Sequence, residues 1–146
     1  MVQSRNNNMQ FRGKTLEGVW VYGSYLKVPP YMPCIMNDSE KFDKDTKHLI
    51  ISLKSFDWGL PYIREEHEVL PNTVTLCTGL CAKNCYNYIN YIYEGDILKH
   101  NEENGIVFWN KDLARFSVKL DNGETIPLYK EWATNGEIVG NIYEES

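Results

Sequence analysis

Polar and apolar positions alternate most regularly in the last third of the chain. Arg115-Phe116-Ser117-Val118-Lys119-Leu120 switches along its length with the period of two that marks a half-buried strand. Asp96-Ile97-Leu98-Lys99-His100 and Ile106-Val107-Phe108-Trp109 flank Asn101-Glu102-Glu103-Asn104-Gly105, which predicts a hairpin whose turn ends in Asn104-Gly105. Asp121-Asn122-Gly123 leads into Glu124-Thr125-Ile126-Pro127-Leu128, and Asn122-Gly123 suits a type I′ turn with positive φ at both central residues. Glu137-Ile138-Val139-Gly140-Asn141-Ile142-Tyr143 supplies a last short strand or turn. Short strands at close spacing, joined by tight turns, predict a small SH3-like β-barrel. No strand–helix alternation occurs, which argues against an α/β fold.

The first half is less regular. Val19-Trp20-Val21-Tyr22, between Gly18 and Gly23-Ser24, predicts a strand with its valines on one face and its aromatics on the other. Pro29-Pro30 and Pro33 interrupt regular structure, and residues 37–47 read as a charged loop or short helix. Leu49-Ile50-Ile51-Ser52-Leu53 predicts a strand buried on both faces, and Glu68-Val69-Leu70-Pro71-Asn72-Thr73-Val74 an edge strand, since Pro71 cannot donate to a ladder. The polar residues 1–8 are expected to be disordered, and Met9 is a second candidate start. The expected organisation is mainly β: a flexible N-terminus over 1–10, an antiparallel β-rich subdomain over 11–76 and an SH3-like barrel over 77–146.

At 146 residues the chain is long enough to bury a real core without staples. Ten tyrosines and four tryptophans favour pleated, half-buried surfaces and strengthen the strand reading. Residues 1–8 lack the apolar stretch of a secretory leader, and no run approaches a membrane span, so the expectation is a cytoplasmic protein with its four cysteines reduced. The net charge of −5 is uneven. Residues 1–76 carry nine cationic and nine anionic side chains, whereas 77–146 carry six against eleven. An acidic half repels phosphate backbones and argues against general nucleic-acid binding, though not against a local basic stripe.

Candidate chemistry is sparse. Cys77, Cys81 and Cys85 lie four apart, a spacing that brings side chains together on a helix but sets them about 13 Å apart on a strand. Gly79 and Asn84 oppose a helix, so small buried hydrophobes are expected and no metal. Tyr93-Glu94-Gly95-Asp96 places two carboxyls near His100, which could form an acid–base group. The stronger reading is a turn: Gly95 permits it, Asp96 bonds backbone N–H groups at a value of roughly 1 kcal/mol, and Tyr93 packs inward. His48, His67 and His100 sit in separate segments without ligand spacing, and no nucleophile elbow, phosphate loop or dinucleotide fingerprint occurs. No cofactor is expected. Tyr86, Tyr88, Tyr91 and Tyr93 read first as domain packing and second as a stacking platform; Trp109 and Trp132 read as core first and groove second. The binding candidates are therefore Tyr93, Glu94, Asp96 and Trp109.

Several stretches resemble the YopX family, small proteins carried by phages and prophages of low-GC Gram-positive bacteria. They are Phe11-Arg12-Gly13, Gly18 to Ser24, Val69 to Val74 with Thr78-Gly79-Leu80, Ile92-Tyr93-Glu94-Gly95-Asp96-Ile97, and Gly140-Asn141-Ile142-Tyr143-Glu144, in the expected order. Thr75-Leu76 departs from the Gly-Gln common at that point, and the connection from Lys83-Asn84 to Ile92 is longer than the family's. The resemblance implies a β-rich N-terminal part, an SH3-like C-terminal barrel and a setting inside an infected bacterium. It implies no activity. The leading expectation is a non-enzymatic binding module acting on a host or phage protein; the alternatives are a nucleic-acid-binding SH3-like protein and, last, a small hydrolase using Glu94, Asp96 and His100.

Overall fold

β-Branched and aromatic runs punctuated by Gly, Pro and Asn give a mainly β chain, seen in a computed structural model. The structure describes residues 10–30, 43–54, 58–59, 61–83 and 91–144. The expected disorder of residues 1–8, Met9, Pro33, most of the 37–47 loop, Cys85, Tyr86 and Tyr88 lie outside those residues. The chain divides into two compact units, Met1–Val74 and Thr75–Ser146.

The first unit contains β1 (Phe11–Lys14), β2 (Trp20–Val28), β3 (Lys47–Lys54) and β4 (Ile63–Glu68), antiparallel in the order β4-β3-β2-β1. Strand β2 runs on through Gly23-Ser24, which the sequence marked as a turn, because β3 offers it a ladder: Ser24 pairs with Ile51 and Leu26 with Leu49. Pro29 follows directly on its last residue, Val28. Strand β3 is not buried on both faces. Ile50 is wholly inaccessible, but Leu53 is 68% exposed, because it pairs with Arg64 beside the connection between β3 and β4.

The expected edge strand over 68–74 is corrected as well. The outermost strand is β4, which stops at Glu68. Val69 forms an isolated bridge with Thr15 and donates its N–H to the His48 carbonyl (2.9 Å), and Pro71–Thr73 is a single 3-10 turn. That turn is tied down by Thr73, whose hydroxyl accepts from Lys14 N–H (2.8 Å) and donates to the Leu70 carbonyl (2.7 Å). Pro71 takes a first helical position, where a missing N–H costs nothing.

The second unit contains β5 (Thr75–Cys81), β6 (Tyr91–Tyr93), β7 (Asp96–His100), β8 (Glu103–Asn110), β9 (Arg115–Leu120), β10 (Thr125–Pro127), helix α1 (Lys130–Asn135) and β11 (Glu137–Asn141). Five strands form an antiparallel sheet in the order β10-β9-β8-β7-β11, and β5 pairs with β6. The hydrogen-bonded order ends at β10 and β11, so pairing among the described residues does not close a barrel. Ile92, Leu98, Val107, Val118, Leu120, Ala82 and Ala133 are its buried core, with Phe116, Ile126, Leu128, Trp132 and Ile138 packed around them.

Both hairpins turn differently from the sequence expectation. The β7–β8 reversal uses Asn101 and Glu102 at φ +48° and +69°, while Asn104-Gly105 lies inside β8. Gly105 serves packing: a Cβ there would stand 2.3 Å from Val118 Cγ1. At the β9–β10 reversal only Gly123 has positive φ (+88°); Gly123 N–H donates to the Leu120 carbonyl at 3.0 Å, and Asn122 Oδ1 accepts from Glu124 N–H at 2.9 Å. This is a type I turn followed by a left-handed glycine, not type I′. Helix α1 was not anticipated. Its six residues show no amphipathic period, and Ala133, 1% exposed and part of the core cluster, holds it in place.

Candidate functional site

The Tyr93-Glu94-Gly95-Asp96 segment joins β6 to β7, and every part of it has a structural partner. Gly95 stands at φ +88°, its N–H donates to the Val107 carbonyl (2.7 Å) and its own carbonyl accepts from Ile142 N–H (3.0 Å). Glu94 N–H donates to the Leu76 carbonyl at 3.1 Å. Asp96, 1% exposed, accepts the Tyr93 N–H on Oδ2 at 2.8 Å, and Tyr93 itself is fully buried. A left-handed glycine followed at once by a buried acceptor that bonds the N–H three residues back is the arrangement of a fixed reversal.

The proposed acid–base group does not assemble around it. Asp96 and His100 share a face of β7 with Leu98 between them, so about 13 Å of strand separates their backbones, well beyond hydrogen-bond reach. His100 instead packs its ring on Trp132, centroids 5.0 Å apart. Cys77 and Cys81 lie on strand β5, opposite Tyr93 and Tyr91, with an irregularity between them; Cys85 lies outside the described residues. Among the described residues no three His, Cys, Asp or Glu side chains gather as metal ligands.

Of the four candidates, Trp109 alone is substantially accessible, at 41%, where a core position was the first expectation. It sits at the end of β8, opposite Phe116 on β9, and the two rings meet edge to face with centroids 5.0 Å apart. The β8–β9 connection leaves Leu113 56% exposed. Leu128 N–H donates to the Phe116 carbonyl at 3.1 Å, and the next residue, Tyr129, is 58% exposed. Lys111, Asp112, Arg115, Lys130 and Glu131 are all exposed on these same segments, so charges of both signs stand near the accessible aromatics in sequence. An accessible aromatic surface suits recognition of another macromolecule.

Sequence reasoning missed a cleft in the first unit. Strand pairing sets Lys27 opposite His48 and His67 opposite Ile50, so His48 and His67 share one face of the β3–β4 pair. Tyr25 Oη is hydrogen-bonded to His48 Nδ1, and the two rings stack 6.0 Å apart. Burial pushes the Tyr25 hydroxyl above its ordinary pKa. Beside them Lys27, Pro29, Asp43, Thr46 and His48 line an open cleft of about 530 Å³. The histidines are nineteen positions apart and meet only through strand pairing, so no local spacing announces them.

The sequence model of the YopX family, described as "YopX protein", matches residues 10–146. The chain belongs to the YopX family. Comparison with curated proteins and with solved structures returns no match.

In this YopX-family chain the segments that carry the likeness meet in space. Phe11-Arg12-Gly13 pairs with Val21-Tyr22-Gly23 across β1 and β2. Val69 and Leu70 close on Thr15 and Lys14. The Ile92–Ile97 turn lies under the C-terminal segment, with the Tyr143 ring so close to Gly95 that a Cβ there would be 2.7 Å from it. These YopX segments are junctions of the fold, which accounts for their residue types without any catalytic demand.

Proposed function

We propose that this YopX-family protein is a phage-borne, non-enzymatic binding module, acting in the cytoplasm of an infected bacterium, whose C-terminal unit has SH3-like architecture and takes a host or phage protein on its Trp109 surface. The observation that carries the reading is the contrast within that unit. Tyr93 and Asp96 are consumed by the β6–β7 turn, whereas Trp109, set edge to face against Phe116, remains accessible. Large rigid aromatics lose little entropy on binding and dominate interface energetics. The SH3-like reading is supported by the strand order, in which the last strand returns beside the first of a four-strand meander after a short helix.

The test is capture from infected-cell extract with the tagged full chain and its Trp109→Ala variant. A protein retained by the parent and released by the variant, with unchanged circular dichroism, is the expected outcome. Equal retention by both would overturn the assignment of the surface. The acidic balance of the unit predicts no complex with double-stranded DNA in a low-salt gel shift, and a salt-sensitive shift would favour the nucleic-acid alternative.

A further inference from the structure

The outer edge of a sheet usually carries a device against further pairing, such as a proline or a bulge. Both edges of the five-stranded sheet have one: β10 contains Pro127, and β11 has a bulge between Ile138 and Gly140. Strand β4, the outermost strand of the first unit, has neither. Its register against β3 runs unbroken from Leu49↔Glu68 to Lys54↔Ile63.

The phase of that ladder fixes which backbone groups face outward. Val69 N–H donates to the His48 carbonyl (2.9 Å), so Val69 and His48 continue the register as a hydrogen-bonded pair. Bonded and non-bonded pairs alternate along an antiparallel ladder. Ile63, Glu65 and His67 therefore bond β3, and the N–H and C=O groups of Arg64, Glu66 and Glu68 point away from it. No strand, turn or loop of the described residues bonds them.

The order of charges along β4 selects the occupant. A second copy laid antiparallel about a two-fold axis at Glu66 sets Arg64 opposite Glu68 of the other copy, twice. It also sets Glu65 opposite His67, whose ring can donate an N–H in either charge state. Arg64, Glu66 and Glu68 then all become hydrogen-bonded positions, each pair exchanging two bonds. Moving the axis by one residue toward His67 would set Glu66 opposite Glu68; moving it toward Glu65 would set Glu65 on itself and Glu68 opposite Tyr62. Within one chain Arg64 meets Glu66 (3.2 Å) and Lys54 meets Glu65 (3.5 Å), so among the described residues Glu68 is the carboxylate of β4 without a cation. Arg64 of the second copy supplies it. The one like-charge contact, Glu66 on Glu66 at the axis, is offset on each side by that chain's own Arg64.

We infer that two copies of this chain associate through β4, antiparallel about Glu66, so that the sheet of one first unit continues into that of the other. The interface uses no residue of the Trp109 surface and is tested separately. Sedimentation velocity of the full chain at rising concentration should show a reversible monomer–dimer equilibrium. Arg64→Glu and Glu68→Arg should each weaken the dimer at least about tenfold, since each sets like charges opposite one another twice. The double exchange Arg64→Glu with Glu68→Arg should restore the parent Kd to within about threefold, which only the Glu66-centred register allows. Glu66→Pro removes an outward N–H but no bond to β3, so it should abolish association with an unchanged circular dichroism spectrum. Trp109→Ala should leave the dimer Kd within about twofold. A chain still monomeric at about 1 mM, a dimer indifferent to Arg64→Glu, a double exchange that stays as weak as the single changes, or a different protein held on β4 by a monomeric chain would each overturn the inference.

Discussion

Asp96→Ala separates a structural acid from a functional one. In the native chain Asp96 Oδ2 holds the Tyr93 N–H at 2.8 Å, at a place where Tyr93 is fully inaccessible and Asp96 nearly so. Removing the acceptor strands a buried N–H that water cannot reach, which costs about 1–3 kcal/mol, and the small void left by the carboxyl adds to it. We expect about 2–3 kcal/mol in all, more than the roughly 1 kcal/mol that an exposed turn would give. Urea unfolding of the full chain, followed by tryptophan fluorescence, reads this as a midpoint lowered by about 1 M or more for a slope of 1–3 kcal/mol/M. Asp96→Asn keeps an acceptor in the same place and should recover at least about half of the loss. Hydrogen exchange supplies the local check, since the Tyr93 amide should lose protection in Asp96→Ala and keep it in Asp96→Asn. If Asp96→Ala unfolds like the parent with the Tyr93 amide still protected, the turn does not depend on this side chain and its role must be sought in binding.

Gly105→Ala should destabilise by about 1–3 kcal/mol through overpacking against Val118, whose Cγ1 would lie 2.3 Å from the new Cβ. Adding Val118→Ala should cost less than the sum of the two single changes by about 1 kcal/mol, and strict additivity would refute the contact. Gly95→Ala should cost at least about 1 kcal/mol, from its φ of +88° and from the Tyr143 ring 2.7 Å from the added carbon; a variant with the parent's urea midpoint would show that the segment can yield. Tyr25 has its pKa raised by burial, so the folded state holds the hydroxyl proton more tightly than the unfolded state does. Its contribution is fully present below the unfolded value near 10 and is lost as pH rises through the folded value. Urea midpoints from pH 8 to 11 should therefore fall more steeply for the parent than for Tyr25→Phe, and parallel curves would remove the argument.

The strands of the second unit are legible in the residues themselves because the causes are local. Alternation in Arg115–Leu120, β-branched and aromatic content in β8 and the reversal residues around 101 and 122 act within a few positions of one another. The same locality makes Asp96 readable as a turn residue from its neighbour Gly95. Local pattern failed wherever a distant strand set the environment. It could not tell that Gly105 makes room for Val118 rather than ending a turn, or that Gly23-Ser24 continues a strand against Ile51. Six residues of α1, too few for a period, become helical only where the core accepts Ala133.

Function follows the same division. Sequence alone determined the β class, the Gly95-Asp96 turn and the family segments, because backbone preference and side-chain period belong to neighbouring residues. Tertiary structure decided which side chains are spent and which are left over: it buried Asp96, held His100 on Trp132, set His48 and His67 on one face, and left Trp109 and Trp58 accessible. Exposure is a property of what packs against a residue from elsewhere in the chain. No local spacing encodes it.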